Sequence, residues 1–90
     1  MRVRLLVIGR VQGVGFRWFV REAARGHRLA GWVRNRSDGG VELEVSGDDA
    51  ALRAFIATVK EGPPGARVDE VREVSSIDAD SLPNPFTIIR

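Results

Sequence analysis

The chain has 90 residues, 43% hydrophobic and 29% charged, enough for one core and hence a single domain over residues 1–90. Its net charge of +2 hides an asymmetry: residues 1–36 hold nine arginines and one acid, a surplus of eight positive charges, whereas residues 37–90 hold five bases and eleven acids, a deficit of six. The lack of cysteine excludes disulfides and thiolate chemistry, the single histidine, His27, excludes a histidine-rich metal centre, and no apolar run approaches the roughly 20 residues that span a bilayer.

Val3, Leu5 and Val7 alternate with Arg4, Leu6 and Ile8, which predicts a first strand whose second face is also partly apolar. The stretch Gly9-Arg10-Val11-Gln12-Gly13-Val14-Gly15 interrupts the apolar pattern. From Phe16 the period becomes helical, with Phe16, Phe19, Val20, Ala23 and Ala24 on one stripe and Gly26 as the expected stop. Residues 29–36 read as a strand again, Ser37-Asp38-Gly39-Gly40 as a turn, and Val41, Leu43 and Val45, alternating with Glu42 and Glu44, complete a hairpin.

Asp48 or Asp49 is the expected cap of a second helix striped by Leu52, Phe55, Ile56 and Val59 and closed by Gly62-Pro63-Pro64-Gly65. A fourth strand is expected within residues 68–77 and a short edge strand over residues 86–90. The order strand, helix, strand, strand, helix, strand predicts an α+β, ferredoxin-like βαββαβ sandwich: an antiparallel sheet with two helices on one face, plus a C-terminal edge strand. Right-handed crossovers put strands one and three side by side, so strands one and two run parallel and end at the same edge.

Period two then sorts the side chains. Val41, Leu43 and Val45 face the helices together with Gly31, Val33 and Asn35, while Trp32, Arg34 and Arg36 share the open face with Glu42 and Glu44, where cross-strand ion pairs worth about 0.5 kcal/mol each are expected. Asn35 is thus a polar residue on the apolar side, at the edge that holds the glycine loop. A strand-to-helix loop with Gly13 and Gly15 can turn successive backbone amides into one concavity, and Arg17, in the first helical turn, adds a planar fork for two phosphate oxygens. It is neither GxxxxGK[ST], because Phe16-Arg17 follows the last glycine, nor GxGxxG, because Trp18 stands at the third glycine position. A small-residue turn without a ligand would account for the loop alone equally well.

The segment Gly9-Arg10-Val11-Gln12-Gly13-Val14-Gly15-Phe16-Arg17, followed by Gly31-Trp32-Val33-Arg34-Asn35 and Asp38-Gly39, resembles the acylphosphatase family. The likeness continues through Val41-Glu42 and Gly62-Pro63-Pro64-Gly65-Ala66-Arg67-Val68, nearly the whole chain in order. The resemblance implies hydrolysis of the carboxyl–phosphate bond of acyl phosphates, with Arg17 and the amides of Gln12, Gly13, Val14, Gly15 and Phe16 holding the phosphate and Asn35 orienting the attacking water. Because the leaving carboxylate needs no protonation, no protein acid is required; no carboxylate cluster offers a magnesium site, so activity without a metal or other cofactor is expected.

Other residues take plainer readings: Arg10 as surface charge, His27 beside a helix C-terminus, Trp18 and Trp32 in packing, Asp48 and Asp49 at a helix start. Binding of RNA to the sheet is disfavoured because Glu42 and Glu44 stand where stacking rings would be needed. The expected protein is a cytoplasmic monomer acting on a small acyl phosphate, with neither nucleic acid nor membrane as partner. The alternative is a non-catalytic acyl or carbamoyl phosphate-binding module of a larger maturation enzyme; Met1 and the end of the chain just after its last strand favour the free-standing enzyme.

Overall fold

A computed structural model describes residues 1–76 and 81–90. The elements are β1 (Arg2–Arg10), α1 (Phe16–Gly26), β2 (Ala30–Asn35), β3 (Val41–Ser46), α2 (Asp49–Glu61), β4 (Arg67–Val74) and β5 (Thr87–Ile88). They form one five-stranded sheet in the order β4-β1-β3-β2-β5. β1 and β3 are neighbours and β3 separates the parallel β1 and β2, as the crossover argument requires. The expected fourth strand ends at Val74; its last expected residue, Ile77, lies outside the described residues.

The sheet is mixed, not wholly antiparallel, because β5 runs parallel to β2 with Val33 opposite Ile88. Phe86 anchors this segment: its ring is fully buried with its centre 6.3 Å from that of Phe55. The Gly31 N–H donates to the Pro83 carbonyl at 2.8 Å and the Ile89 N–H to the Val33 carbonyl at 2.9 Å, so the chain is fastened on both sides of Phe86 and travels in the direction of β2.

The helix-facing side of the sheet presents Val3, Leu5, Val7, Val33, Val41, Leu43 and Val45, covered by Phe16, Val20 and Ala24 of α1 and by Leu52, Phe55 and Val59 of α2. Asp48 caps α2, accepting from the Ala51 N–H at 3.4 Å. α1 ends at Gly26, the expected stop, and the left-handed residue that follows is Arg28, at φ 57°. The Leu29 N–H then returns to the Ala24 carbonyl at 2.9 Å, which turns the Leu29 side chain into the core. Trp18 departs from the packing role expected of it. Two positions from both Phe16 and Val20, it falls on the far side of the helix and is 58% exposed.

No helix covers the second face, yet Glu42 and Glu44 are 5% and 0% exposed. Both lie on β3, the middle strand, and arginines from either side close over them. Arg34 bonds Glu42 at 2.7 Å and Arg36 reaches it at 3.5 Å, whereas Glu44 is taken by Arg2, by Arg4 at 2.7 Å and by Ser76. The Arg4 and Arg34 guanidiniums also sit 5.3 and 5.5 Å from the Trp32 ring centre. Both carboxylates are desolvated, which the surface pairs expected from sequence would not be; the Arg4–Glu44 pair is largely buried on both sides, whereas Arg34 and Arg36 remain partly exposed. Burial by itself pushes the Glu44 carboxyl up, but the hydrogen bonds from Ser76, Arg2 and Arg4 outweigh it and hold the group below its ordinary value of 4.5.

Candidate active site

At the end of β1 the chain turns through residues 11–15 into α1, pinned at both ends by Val11 and Phe16, each 1% exposed. Gly13 and Gly15 between them have φ 75° and 74°. A β-carbon on either would meet nothing within 4 Å, so backbone conformation selects glycine here, not crowding. The same open space lets an anion come close to the main chain. Gly15 is the N-cap of α1; no side chain caps the helix and its first turn carries no acid, so the positive end of the helix is left facing the cavity.

The loop is held from behind by Gln12. Its Nε2 donates to the carbonyls of Arg36 and Gly40 at 2.7 and 2.8 Å, tying the loop to the β2–β3 turn. That turn is fixed in its own right: the Gly40 N–H donates to Asp38 Oδ1 at 3.0 Å and Arg36 Nε to Oδ2 at 3.1 Å, and these two contacts, the Gly40 amide foremost, hold the Asp38 carboxyl below its ordinary value. The sequence places Asp38 and Gly39 only as turn residues. Their further effect is to set the acceptors on which Gln12 hangs.

Arg17, in the first turn of α1, and Asn35, the last residue of β2, come together across a cavity of about 400 Å³ that Gly13, Gly15 and Phe16 also line. Gln12 and Val14 do not line it, although both belong to the predicted cradle; the Gln12 side chain is committed to the turn behind. Val11, Trp18, Ile88 and Arg90 complete the walls. Trp18, Ile88 and Arg90 were not candidates from sequence. Helical phase could have marked Trp18 as lying off the core stripe, but no local signal shows that β5 returns beside Asn35.

The arginine surplus of residues 1–36 is largely spent elsewhere. Arg2, Arg4, Arg34 and Arg36 answer the acids of the open face and its turn, Arg21 pairs with Glu22, and Arg25 donates to the Phe86 carbonyl. Arg17 has no hydrogen bond or ion pair among the described residues. Across the same cavity, Asn35 Oδ1 is buried with no hydrogen-bond partner. A buried carboxamide oxygen left open is unusual in a folded chain, and it shares this cavity with an uncommitted guanidinium and an uncapped helix start. This combination suits a tetrahedral anion held by charge and amides, with a water or hydroxyl on the carboxamide.

The acylphosphatase family model matches residues 3–88. A Bacillus licheniformis acylphosphatase is 42% identical over 82 residues, 91% of each chain. The crystal structure of the Bacillus subtilis acylphosphatase superposes with a TM-score of 0.90 at 42% identity, covering 99% of this chain and 98% of that one. Full-length HypF in its phosphate- and nucleotide-bound form contains a similar region, with a TM-score of 0.74 and 36% identity over 99% of this chain but 12% of that one. Fold, motif order and end-to-end likeness agree, and the chain belongs to the acylphosphatase family.

Proposed function

We propose that the protein hydrolyses acyl phosphates to a carboxylate and inorganic phosphate, and that the loop at residues 12–16, Arg17 and Asn35 carry out this reaction. The phosphate group sits over Gly13 and Gly15 against the start of α1, with Arg17 taking two of its oxygens. Asn35 orients a water for attack on phosphorus. As the new P–O bond forms, the bond between phosphorus and the acyl oxygen breaks; the electron pair leaves with the carboxylate, and the water proton passes to a phosphate oxygen or to solvent. Charge on the transferring group is what needs stabilising, which a guanidinium and fixed amides supply without reorganisation. Asn35 is neutral and takes no proton, so its part is orientation.

The observation that carries this reading is the unpartnered Asn35 Oδ1 in the cavity that Arg17 also lines. The free-standing enzyme is preferred to a binding module because acylphosphatases match this chain over nearly their full length. We also infer a single domain that acts as a cytoplasmic monomer. Asp69, Glu70, Arg72 and Glu73 on the edge strand β4 discourage pairing with a second sheet. No helix of the described residues is long and apolar enough to cross a membrane.

The test is phosphate release from benzoyl phosphate in EDTA by wild type and Arg17→Ala. Loss of one charge-assisted bidentate contact should lower kcat/KM by at least about 100-fold and weaken inhibition by phosphate. Wild-type kcat/KM in the variant would remove Arg17 from the site. Phosphate binding by a folded wild type without turnover would favour the module.

A further inference from the structure

The cavity is larger than a phosphate needs. Its volume of about 400 Å³ falls within the roughly 300–1,000 Å³ typical of whole small-molecule ligands. The loop, Arg17 and Asn35 account for one part of its lining, and Trp18 stands beside them on the rim. Apart from Met1, Trp18 is the one strongly exposed large hydrophobic side chain among the described residues, and its ring stacks on no other ring or guanidinium there. Exposing an indole forgoes a large burial gain, and this one does so at the mouth of the site.

The chemistry of the reaction says which part of the substrate reaches it. Attack and departure lie on opposite sides of phosphorus, so the acyl group extends away from the water held by Asn35. Asn35 and Ile88 belong to the adjacent strands β2 and β5, which make one wall. Arg17 and Trp18 belong to α1, which makes the other. An acyl group leaving the β2 side passes over the first turn of α1, where it meets the indole.

We propose that Trp18 is the platform for the acyl group and that it makes the enzyme favour flat, aromatic acyl phosphates over small alkyl ones. The proposal rests on the phosphate placement given above. A ring stacked on Trp18 exchanges two wet apolar faces for one contact, while an acetyl group is too small to cover the indole and gains little from it. The phosphate contacts are the same for both substrates, so discrimination lies in the acyl half alone.

The test measures kcat/KM for benzoyl phosphate and acetyl phosphate, with the inhibition constant of inorganic phosphate, in wild type, Trp18→Ala and Trp18→Phe. Removing a stacking partner should lower kcat/KM for benzoyl phosphate about tenfold and for acetyl phosphate less than about twofold. Trp18→Phe should recover most of the loss, and the phosphate constant should stay unchanged in both variants. Equal losses on the two substrates, no loss on benzoyl phosphate, or weakened phosphate inhibition would overturn the platform while leaving the phosphate cradle intact. A Trp18→Ala protein that failed to fold would also overturn it, since the ring would then be structural. Hydrolysis of neither substrate by wild type would overturn the cradle reading and this one with it.

Discussion

Replacing Asn35 by alanine should separate stability from activity. Its Oδ1 is buried and unpartnered, and a polar atom in that state costs a folded protein about 1–3 kcal/mol. Alanine removes the atom, keeps the backbone pairing of β2 with β3, and is accepted in a strand at least as well as asparagine. The balance is about 1–3 kcal/mol in favour of the variant, and in a domain of this size each kcal/mol moves Tm by about 4–8 °C. A water resident on Oδ1 brings the gain toward zero. Turnover moves the other way, because a misoriented water loses a contact present in the transition state, and kcat should fall about 10²–10³-fold. Thermal unfolding, steady-state hydrolysis of benzoyl phosphate and inhibition by phosphate measure the three quantities. The expected pattern is an unchanged or raised Tm, a large loss of kcat and phosphate inhibition within about twofold of wild type. A Tm lower by more than about 4 °C would show that Asn35 serves the fold and would refute the argument from the open oxygen.

Glu44→Gln should lower stability to urea by about 3 kcal/mol, near the low end for breaking a buried pair because Arg4 keeps a contact with Glu42. Since the folded carboxyl is held below 4.5, the stabilisation is full above that pH and fades as pH falls through the depressed value, so wild type and variant should converge in acid; a gap that persists there would contradict the assignment. Gln12→Ala leaves the Arg36 and Gly40 carbonyls without their side-chain donor, and should lower stability by about 1–2 kcal/mol and weaken phosphate inhibition several-fold. Unchanged inhibition would mean that the loop holds its shape without that tie.

Residues with a periodic neighbourhood were legible in the sequence. Alternation on β3 put Val41, Leu43 and Val45 under the helices, and the same alternation carried through the hairpin put Asn35 at the edge shared with the glycine loop. What alternation cannot report is how deep a face lies. Glu42 and Glu44 read as solvated because no helix covers them, and they are buried because β3 is central and four arginines fold over it. Five strands with long side chains on either flank can close a face that the layer count leaves open.

The second limit is range. Gly13, Gly15, Phe16 and Arg17 are contiguous, so a sequence reading can assemble that half of the cavity from local backbone chemistry. The other half depends on a segment more than 50 residues beyond Asn35, brought back by Phe86 inserting against Phe55 and by the Ile89 N–H bonding the Val33 carbonyl. Ile88 and Arg90 thereby join the wall beside Asn35. The asymmetry has a functional counterpart. In the proposed placement the contiguous half faces the phosphate, which every acyl phosphate shares. The rest of the wall combines Trp18, turned outward by helical phase, with two residues delivered by a distant strand. If the proposed placement holds, substitutions at those three positions should change which acyl group is accepted while leaving inhibition by inorganic phosphate unchanged.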